Sequence, residues 1–390
     1  MKILHVYHIY PALFGGASTV VYQTTKELNK LGNNVDVLTT EAYFTGEDLH
    51  EHEGNLYRFP LISKRLSKKN LIIPKMNFVL WIKQRLKTYN CVHLHGHRNI
   101  YAPVISYYAK KYDVPYVLQV HGAFRNVSSK QRMKKIYDRL CGYKMFRDAS
   151  MLVALNHAEA EQYKHVGIPK EKIAIIPNGI DVTEYVNLPS KNSFKSKFSI
   201  SENKKVILYL GRIHSTKGIK FLVEAYTYLT KKLDYKNAVL LIAGPDDGYL
   251  NDANFLVNSL GVSKAVFFTG PLSETDKISA YVDSNIVVNV EPINVYGIVP
   301  LEAAACSTPV IVSETNAISK VVLQGNFGLA VKYGNVKQLA IIMRKMLNDY
   351  EYLEEMGRKG REYIFENYDW RKIVLKLENV YKEIVYIKQC

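Results

Sequence analysis

Short apolar runs recur along the chain, and between them lie longer stretches in which apolar residues return every three or four positions. The first pattern is that of a buried strand and the second that of an amphipathic helix, so their alternation predicts α/β units around parallel sheets. One series of strands is expected at "KILHVY", "NVDVLTT", "CVHLHG", "PYVLQVHG", "MLVAL" and "KIAIIP". A second begins at "KKVILYLGR" and continues through "AVLLIAGP", "AVFFTGP", "NIVVNV", "PVIVS" and "LAVKY". Between the series, the Lys- and Ser-rich segment from Val186 to Lys205 reads as a linker with a short helix. After Asn335 the pattern predicts three helices, "VKQLAIIMRKML", "YEYLEEMGRKGREYIFEN" and "WRKIVLKLENVYKEIVYIK". Two doubly wound domains result, 1–188 and 189–370, in keeping with a length of 390 residues, which exceeds what one core usually supports. Ligands of such sheets sit outside the carboxyl ends of the strands, so two facing domains are expected to line a cleft.

Composition refines this picture in two ways. Polar side chains interrupt the start "MKILHVYHIYPALF", and no run approaches the roughly 18 apolar residues of a membrane span, so a cytoplasmic protein with at most peripheral membrane contact is expected. The cysteines Cys91, Cys141, Cys306 and Cys390 have no metal-type spacing and suit a reducing compartment. The formal charge of +16 is uneven: residues 1–185 hold 26 Lys and Arg against 15 Asp and Glu. From residue 54 to 112 there are 12 basic residues and no acidic one, a field that attracts anions such as a phospholipid surface, a lipid phosphate or a polyanionic glycan. Nucleic acid ranks lower, because no nucleic-acid motif accompanies the charge.

Several loops carry candidate chemistry. In "FGGASTVVYQTTKEL", Gly15 and Gly16 precede a helix and allow a ligand close to its positive end, though the spacing is not GxGxxG. In "GRIHSTKG", Arg212 and Lys217 follow a strand on one loop, where two cations can hold a diphosphate and stabilise the charge released on its cleavage. In "VNVEPINVYGIVPLEAAACSTPVIV", Gly297 is expected to open a helix through Ala305, and Glu302 one turn in could accept two hydrogen bonds from a vicinal diol. His93, His95 and His97 in "HLHGHR" would share a face if the strand continued, which invites a metal reading; a strand end at Gly96 argues against it. The pair Asp246 and Asp247 could suggest a metal as well, but on a loop of the second domain it is not read as one. Asn156, Asn178 and Asp181 either shape a cleft or cap turns.

Taken together, the double glycine, "HGAF", "IPNGIDVTEY", "GRIHSTKG", "VFFTGPL", "YGIVPLEAAACSTPVI" and "YDW" resemble the GT-B glycosyltransferases, and among them the large retaining family 4, the group 1 glycosyl transferases. The resemblance spans nearly the whole chain and implies a fold of two Rossmann-like domains facing across a cleft. It also implies an acceptor-binding first domain, rejoined by the last helix, 371–390, and a second domain that binds the nucleotide sugar. By the same resemblance Arg212 and Lys217 bind the donor diphosphate and Glu302 the ribose, while His121 in "QVHGAF" lies beside the transferred sugar. Gly244, Phe268, Gly270 and Leu272 would stand near the base, with Tyr296, Gly297, Ile298 and Val299 along the donor.

Two positions depart from the family. Eight residues before Glu302, where the family has a glutamate at the transferred sugar, stands Asn294, which adds a donor and removes a charge. Unusual donor hydroxyls, substitution by Glu291, or weakened activity would each account for it. Ser307 replaces the usual glycine, at a cost on the order of 1 kcal/mol if that residue is left-handed.

The resulting expectation is a metal-independent, cofactor-free, retaining transferase. It would move a hexose-type sugar from a UDP- or GDP-sugar to a glycan or lipid-linked acceptor. His97, Arg98 and Arg125 are candidates for acceptor contact, and an anionic membrane, at its inner face, for a peripheral partner. A nucleotide-sugar epimerase of the same fold and a catalytically weak nucleotide-sugar or glycan binder remain the alternatives.

Overall fold

The computed structural model describes residues 1–10, 16–42, 54–67, 72–122, 131–291 and 296–388. Two compact units form: Met1–Asn178 with Trp370–Cys390, and Gly179–Asp369. The first crossing thus lies at Asn178, earlier than the expected 188. The reason is local: Ile180 N–H donates to the Tyr368 carbonyl at 2.8 Å, Tyr185 is fully buried, and Arg361 donates to the Tyr185 carbonyl at 2.7 Å, so residues 180–185 already belong to the second unit.

Among the described residues the first unit holds seven parallel strands: β1 Lys2–Val6, β2 Asn34–Thr40, β3 Leu56–Phe59, β4 Cys91–His95, β5 Tyr116–Gln119, β6 Met151–Ala154 and β7 Ile173–Ile175, in the order β3-β2-β1-β4-β5-β6-β7. The edge strand β3, "LYRF", escaped the pattern reading because three of its four residues are only half buried and carry no apolar run. The second unit holds six: β8 Lys205–Leu210, β9 Ala238–Ala243, β10 Val266–Gly270, β11 Ile286–Asn289, β12 Val310–Ser313 and β13 Gly328–Val331, in the order β10-β9-β8-β11-β12-β13. Every residue of β9 is buried, as expected of a central strand with both faces covered. In both sheets the order reverses at one place, between β1 and β4 and between β8 and β11, and a crevice at the carboxyl ends opens there.

The helix Trp370–Tyr386 turns Trp370, Ile373, Val374, Leu377, Val380, Tyr381 and Ile384 onto one face of the first sheet, against Ile3, Cys91, Val117 and Val153. This three-four spacing gives the last helix one apolar face to bury, and each such side chain removed from water contributes about 2 kcal/mol. Among the described residues no helix is long and apolar enough to cross a membrane.

Candidate active site

At the β8/β11 reversal, the loop after β8 is pressed onto the end of β11. Gly218 has φ of +74°, and a Cβ there would stand 1.9 Å from the Val290 carbonyl oxygen, so only glycine allows the approach. The contact brings Lys217 Nζ to 2.8 Å from Glu291 Oε2, with both side chains largely shielded, at 18% and 9% exposure. Glu291 is held in turn by the Ser313 hydroxyl, which donates to its carbonyl. Arg212 on the same loop is exposed and pairs with Asp247, while Asp246 accepts from the N–H groups of Gly248, Tyr249 and Leu250. The two aspartates therefore serve a cation and a turn. Gly244, expected near a base, packs its backbone closely on the loop after β8: a Cβ there would lie 2.0 Å from the Gly211 carbonyl oxygen.

Glu302 lies on the helix Val299–Ala305, which starts two residues later than expected because the Ile298 carbonyl accepts its first bonds and Pro300 follows at the first turn. Glu302 is buried and accepts from the Tyr281 hydroxyl at 2.7 Å and from Lys277 Nζ at 3.1 Å. Both partners come from the helix Glu274–Asp283, one turn apart. Burial works against the Lys277 charge, but Glu302 and Glu274 outweigh it and raise the ammonium above the ordinary lysine range. Lys277 and Tyr281 were invisible as site residues because nothing in "ETDKISAYVD" says which helix they will face. A carboxylate offers about four lone-pair positions, so Glu302 keeps acceptor capacity beyond these two bonds.

The helix of Glu302 closes through Ser307. Thr308 N–H donates to the Ala303 carbonyl and Ser307 N–H to the Ala304 carbonyl, both at 2.9 Å, with Ser307 at φ of +59°. The left-handed condition attached to that departure from the family is therefore met.

In the first unit, His121 follows β5 with φ of +54°, and burial pushes its imidazole down to about 4. The next residue anchors it: Glu159 accepts from Gly122 N–H at 2.8 Å and from Leu155 N–H at 2.7 Å. The strand of the "HLHGHR" segment ends at His95, and Gly96 turns left-handed at +82°, so His97 leaves the face of His93 and His95. His5, the register partner of His93 on β1, takes that place, and the ligand atoms of His5, His93 and His95 lie within 4.8 Å of one another. His97 instead stands 3.5 Å from Asp138, which also receives a two-pronged pair from Arg98 at 3.0 and 2.7 Å. Burial raises the Asp138 pKa, but the bonds from His97 and Arg98 prevail and hold it at about 2.

Other expected positions vary. Gly16 opens the helix Gly16–Lys30 with nothing within 4 Å of a virtual Cβ. Phe268 packs partly into the core, Leu272 is half buried, and Gly270 has φ of +71° with open space around it. Tyr296 is buried, whereas Gly297, Ile298 and Val299 are half buried at the helix start. Asn156 caps the helix His157–His165, Asp181 caps a turn at Thr183, and Asn178 is buried. Gly15, Arg125 and Asn294 lie outside the described residues.

The family model described as Glycosyltransferase Family 4 matches residues 14–184, and that described as Glycosyl transferases group 1 matches residues 190–363. An uncharacterized glycosyltransferase of Methanocaldococcus jannaschii is 27% identical over 98% of both chains. A D-inositol 3-phosphate glycosyltransferase of Corynebacterium diphtheriae is 23% identical over 96% of this chain and 92% of its own. Among solved structures, Anabaena HepE in complex with UDP and glucose superposes with a TM-score of 0.77 at 18% identity, over 98% of this chain and 100% of that one. With its two Rossmann-like sheets and the two family models that together follow it from residue 14 to 363, the chain belongs to the GT-B glycosyltransferases of family 4 and group 1.

Proposed function

We propose that the protein is a retaining, metal-independent hexosyltransferase that uses a UDP- or GDP-sugar and an anionic or lipid-linked acceptor. The observation that carries the donor reading is the Lys217 ammonium, fixed at the strand-order reversal by Gly218 and Glu291 where a doubly wound sheet receives its ligand. A phosphate oxygen about 4 Å from such a cation is worth about 4 kcal/mol at an effective dielectric near 20, enough for several hundredfold in leaving-group stabilisation. In this reading Arg212 and Lys217 take the diphosphate, Glu302, steadied by Lys277 and Tyr281, takes the ribose, and His121 and Asn294 orient the sugar. The bond from the sugar's anomeric carbon to the diphosphate breaks on the face where the acceptor oxygen bonds, and a phosphate oxygen takes the acceptor proton. No enzyme nucleophile or resident cofactor enters that sequence. A neighbour solved with UDP and glucose supports the donor class, and a relative named for inositol 3-phosphate supports an acceptor with negative charge.

For the acceptor side, the segment from Gln131 to Asp148 favours a lipid surface. Met133, Ile136 and Leu140 stand 67%, 59% and 71% exposed at one-turn spacing, flanked by the exposed cations Arg132, Lys135, Arg139 and Lys144. An apolar helix stripe turned to solvent and rimmed by positive charge matches an anionic bilayer surface.

Screening a panel of nucleotide sugars for thermal stabilisation and hydrolysis tests the donor reading. Lys217→Ala should abolish the response, and an unchanged response would put the diphosphate elsewhere. Conversion of donor alone into an epimer would identify an epimerase, and binding without transfer or hydrolysis a silent binder.

A further inference from the structure

Behind His121 lies a continuous chain of side chains that the transfer reaction as read above does not use. His121 Nε2 is 2.9 Å from His95 Nδ1, His95 Nε2 is 3.3 Å from His5 Nδ1, His5 Nε2 is 3.2 Å from the Tyr381 hydroxyl, and that hydroxyl is 2.6 Å from His93 Nδ1. His5, His93 and His95 are wholly buried, as is Tyr381 on the last helix. The two ends of the chain, His121 Nδ1 and His93 Nε2, have no partner among the described residues. The rings of His95 and His121 are nearly parallel, 13° apart, so the link also fixes the plane of His121.

Burial pushes the pKa values of His93, His95 and His121 down and favours their neutral forms. With wholly buried His5 taken as neutral too, each imidazole carries one proton on one of its two nitrogens. Four rings and one hydroxyl then share five protons among four links and one chain end. Only two orders satisfy every link. In one, Tyr381 donates to His93, and the surplus N–H is His93 Nε2, leaving His121 Nδ1 a bare lone pair. In the other, His93 donates to Tyr381, Tyr381 to His5, His5 to His95 and His95 to His121, so the surplus N–H is His121 Nδ1. Each order leaves one covered N–H unpaired, on His93 Nε2 in the first and on His121 Nδ1 in the second, but the first seals it on a wholly buried ring and the second on a ring that is only half buried. The short Tyr381–His93 distance suits a hydroxyl donor and so the first order, but a few tenths of an ångström weigh less than a permanently unpaired buried N–H. Of the two ends only the half-buried His121 ring borders the surface, so only its N–H can find an acceptor on a ligand, once the covered Nδ1 is exposed by a small shift.

We propose that Tyr381, His5 and His95 are positioning residues that lock His121 as the neutral Nδ1–H tautomer, so that it donates a hydrogen bond to a hydroxyl of the transferred sugar. The proposal rests on the reading of His121 as a sugar-orienting residue. It links the C-terminal helix, through Tyr381, to His121 after β5.

Long-range 1H–15N spectra of protein labelled with 15N-histidine test it without any substrate. His121, His95, His5 and His93 should each carry the proton on Nδ1, and His121 should stay neutral at pH 6. Tyr381→Phe, which keeps the ring and removes the hydroxyl, should leave His121 averaging between tautomers. It should lower kcat about tenfold, as expected for one lost oriented hydrogen bond, with nucleotide affinity unchanged because that site lies in the other unit. His95→Asn, whose amide can stand near the Nδ1 position, should retain at least about tenfold more kcat than His95→Leu. An Nε2–H tautomer at His121 in the unaltered protein would overturn the proposal. So would a His121 tautomer indifferent to Tyr381→Phe, or one zinc per chain retained through dialysis, since a metal would take the lone pairs the chain needs. Absence of any nucleotide binding in the unaltered protein would instead sink the donor reading, and leaves the tautomer result standing by itself.

Discussion

Glu291→Gln separates two roles for the carboxylate beside Lys217. Glu291 Oε2 lies 2.8 Å from Lys217 Nζ. A phosphate oxygen bound on the other side of that ammonium would stand about 5 Å from the carboxylate, where two unit charges repel by about 3 kcal/mol at an effective dielectric near 20. Lysine exposure of 18% admits some solvent screening, and halving the repulsion for it leaves roughly 1.5–3 kcal/mol, or about 10- to 100-fold in affinity. Glutamine keeps the oxygen that accepts from Lys217 and removes only the charge. The variant should therefore bind UDP or GDP about 10- to 100-fold more tightly in isothermal titration calorimetry, with the gain shrinking as salt rises. Weaker or unchanged nucleotide binding would refute a diphosphate at Lys217. Unchanged nucleotide affinity together with lost transfer would move Glu291 to the sugar, in the role Asn294 leaves open.

Three further perturbations have outcomes that follow from single contacts. Ser307→Gly relieves a left-handed residue at φ of +59° and should stabilise the second unit by about 1 kcal/mol, raising its Tm by roughly 2–4 °C in calorimetry. Asp138→Asn leaves the largely buried Arg98 guanidinium underpaired and should cost the first unit about 3 kcal/mol by urea unfolding. Because Asp138 is held at about 2, below its unfolded value near 4, its contribution is complete above pH 4 and is lost as pH falls toward 2. The variant should accordingly show a flatter stability curve across that interval. Leu140→Glu, at a side chain 71% exposed, should fold normally yet lose about tenfold in pelleting with phosphatidylserine vesicles, and equal pelleting at all lipid compositions would remove the membrane reading.

The placement of the loop cations was legible in the sequence because it is local. A loop that follows a strand and carries two cations, Arg212 and Lys217, must emerge at the carboxyl end of the sheet whatever else the chain does. The left-handed position of Ser307 likewise follows from helix-closing geometry confined to a few residues. What faces those residues was not legible. Glu291 looked like a misplaced partner of Glu302, yet the close approach of Gly218 to Val290 turns it onto Lys217. Lys277 and Tyr281 read as ordinary helix residues until packing set them on Glu302.

The histidines mark the boundary between the two kinds of information. Periodicity alone put His93 and His95 on one face of a strand, and alternation of apolar runs and helices alone dictated parallel sheets. That His97 turns away, that His5 replaces it by strand register, and that a tyrosine from the C-terminal helix completes the chain were decided by tertiary structure. Backbone periodicity is a property of neighbours in sequence, whereas these contacts join residues up to 376 positions apart, and only the packed sheet and the helix laid over it specify which of them meet.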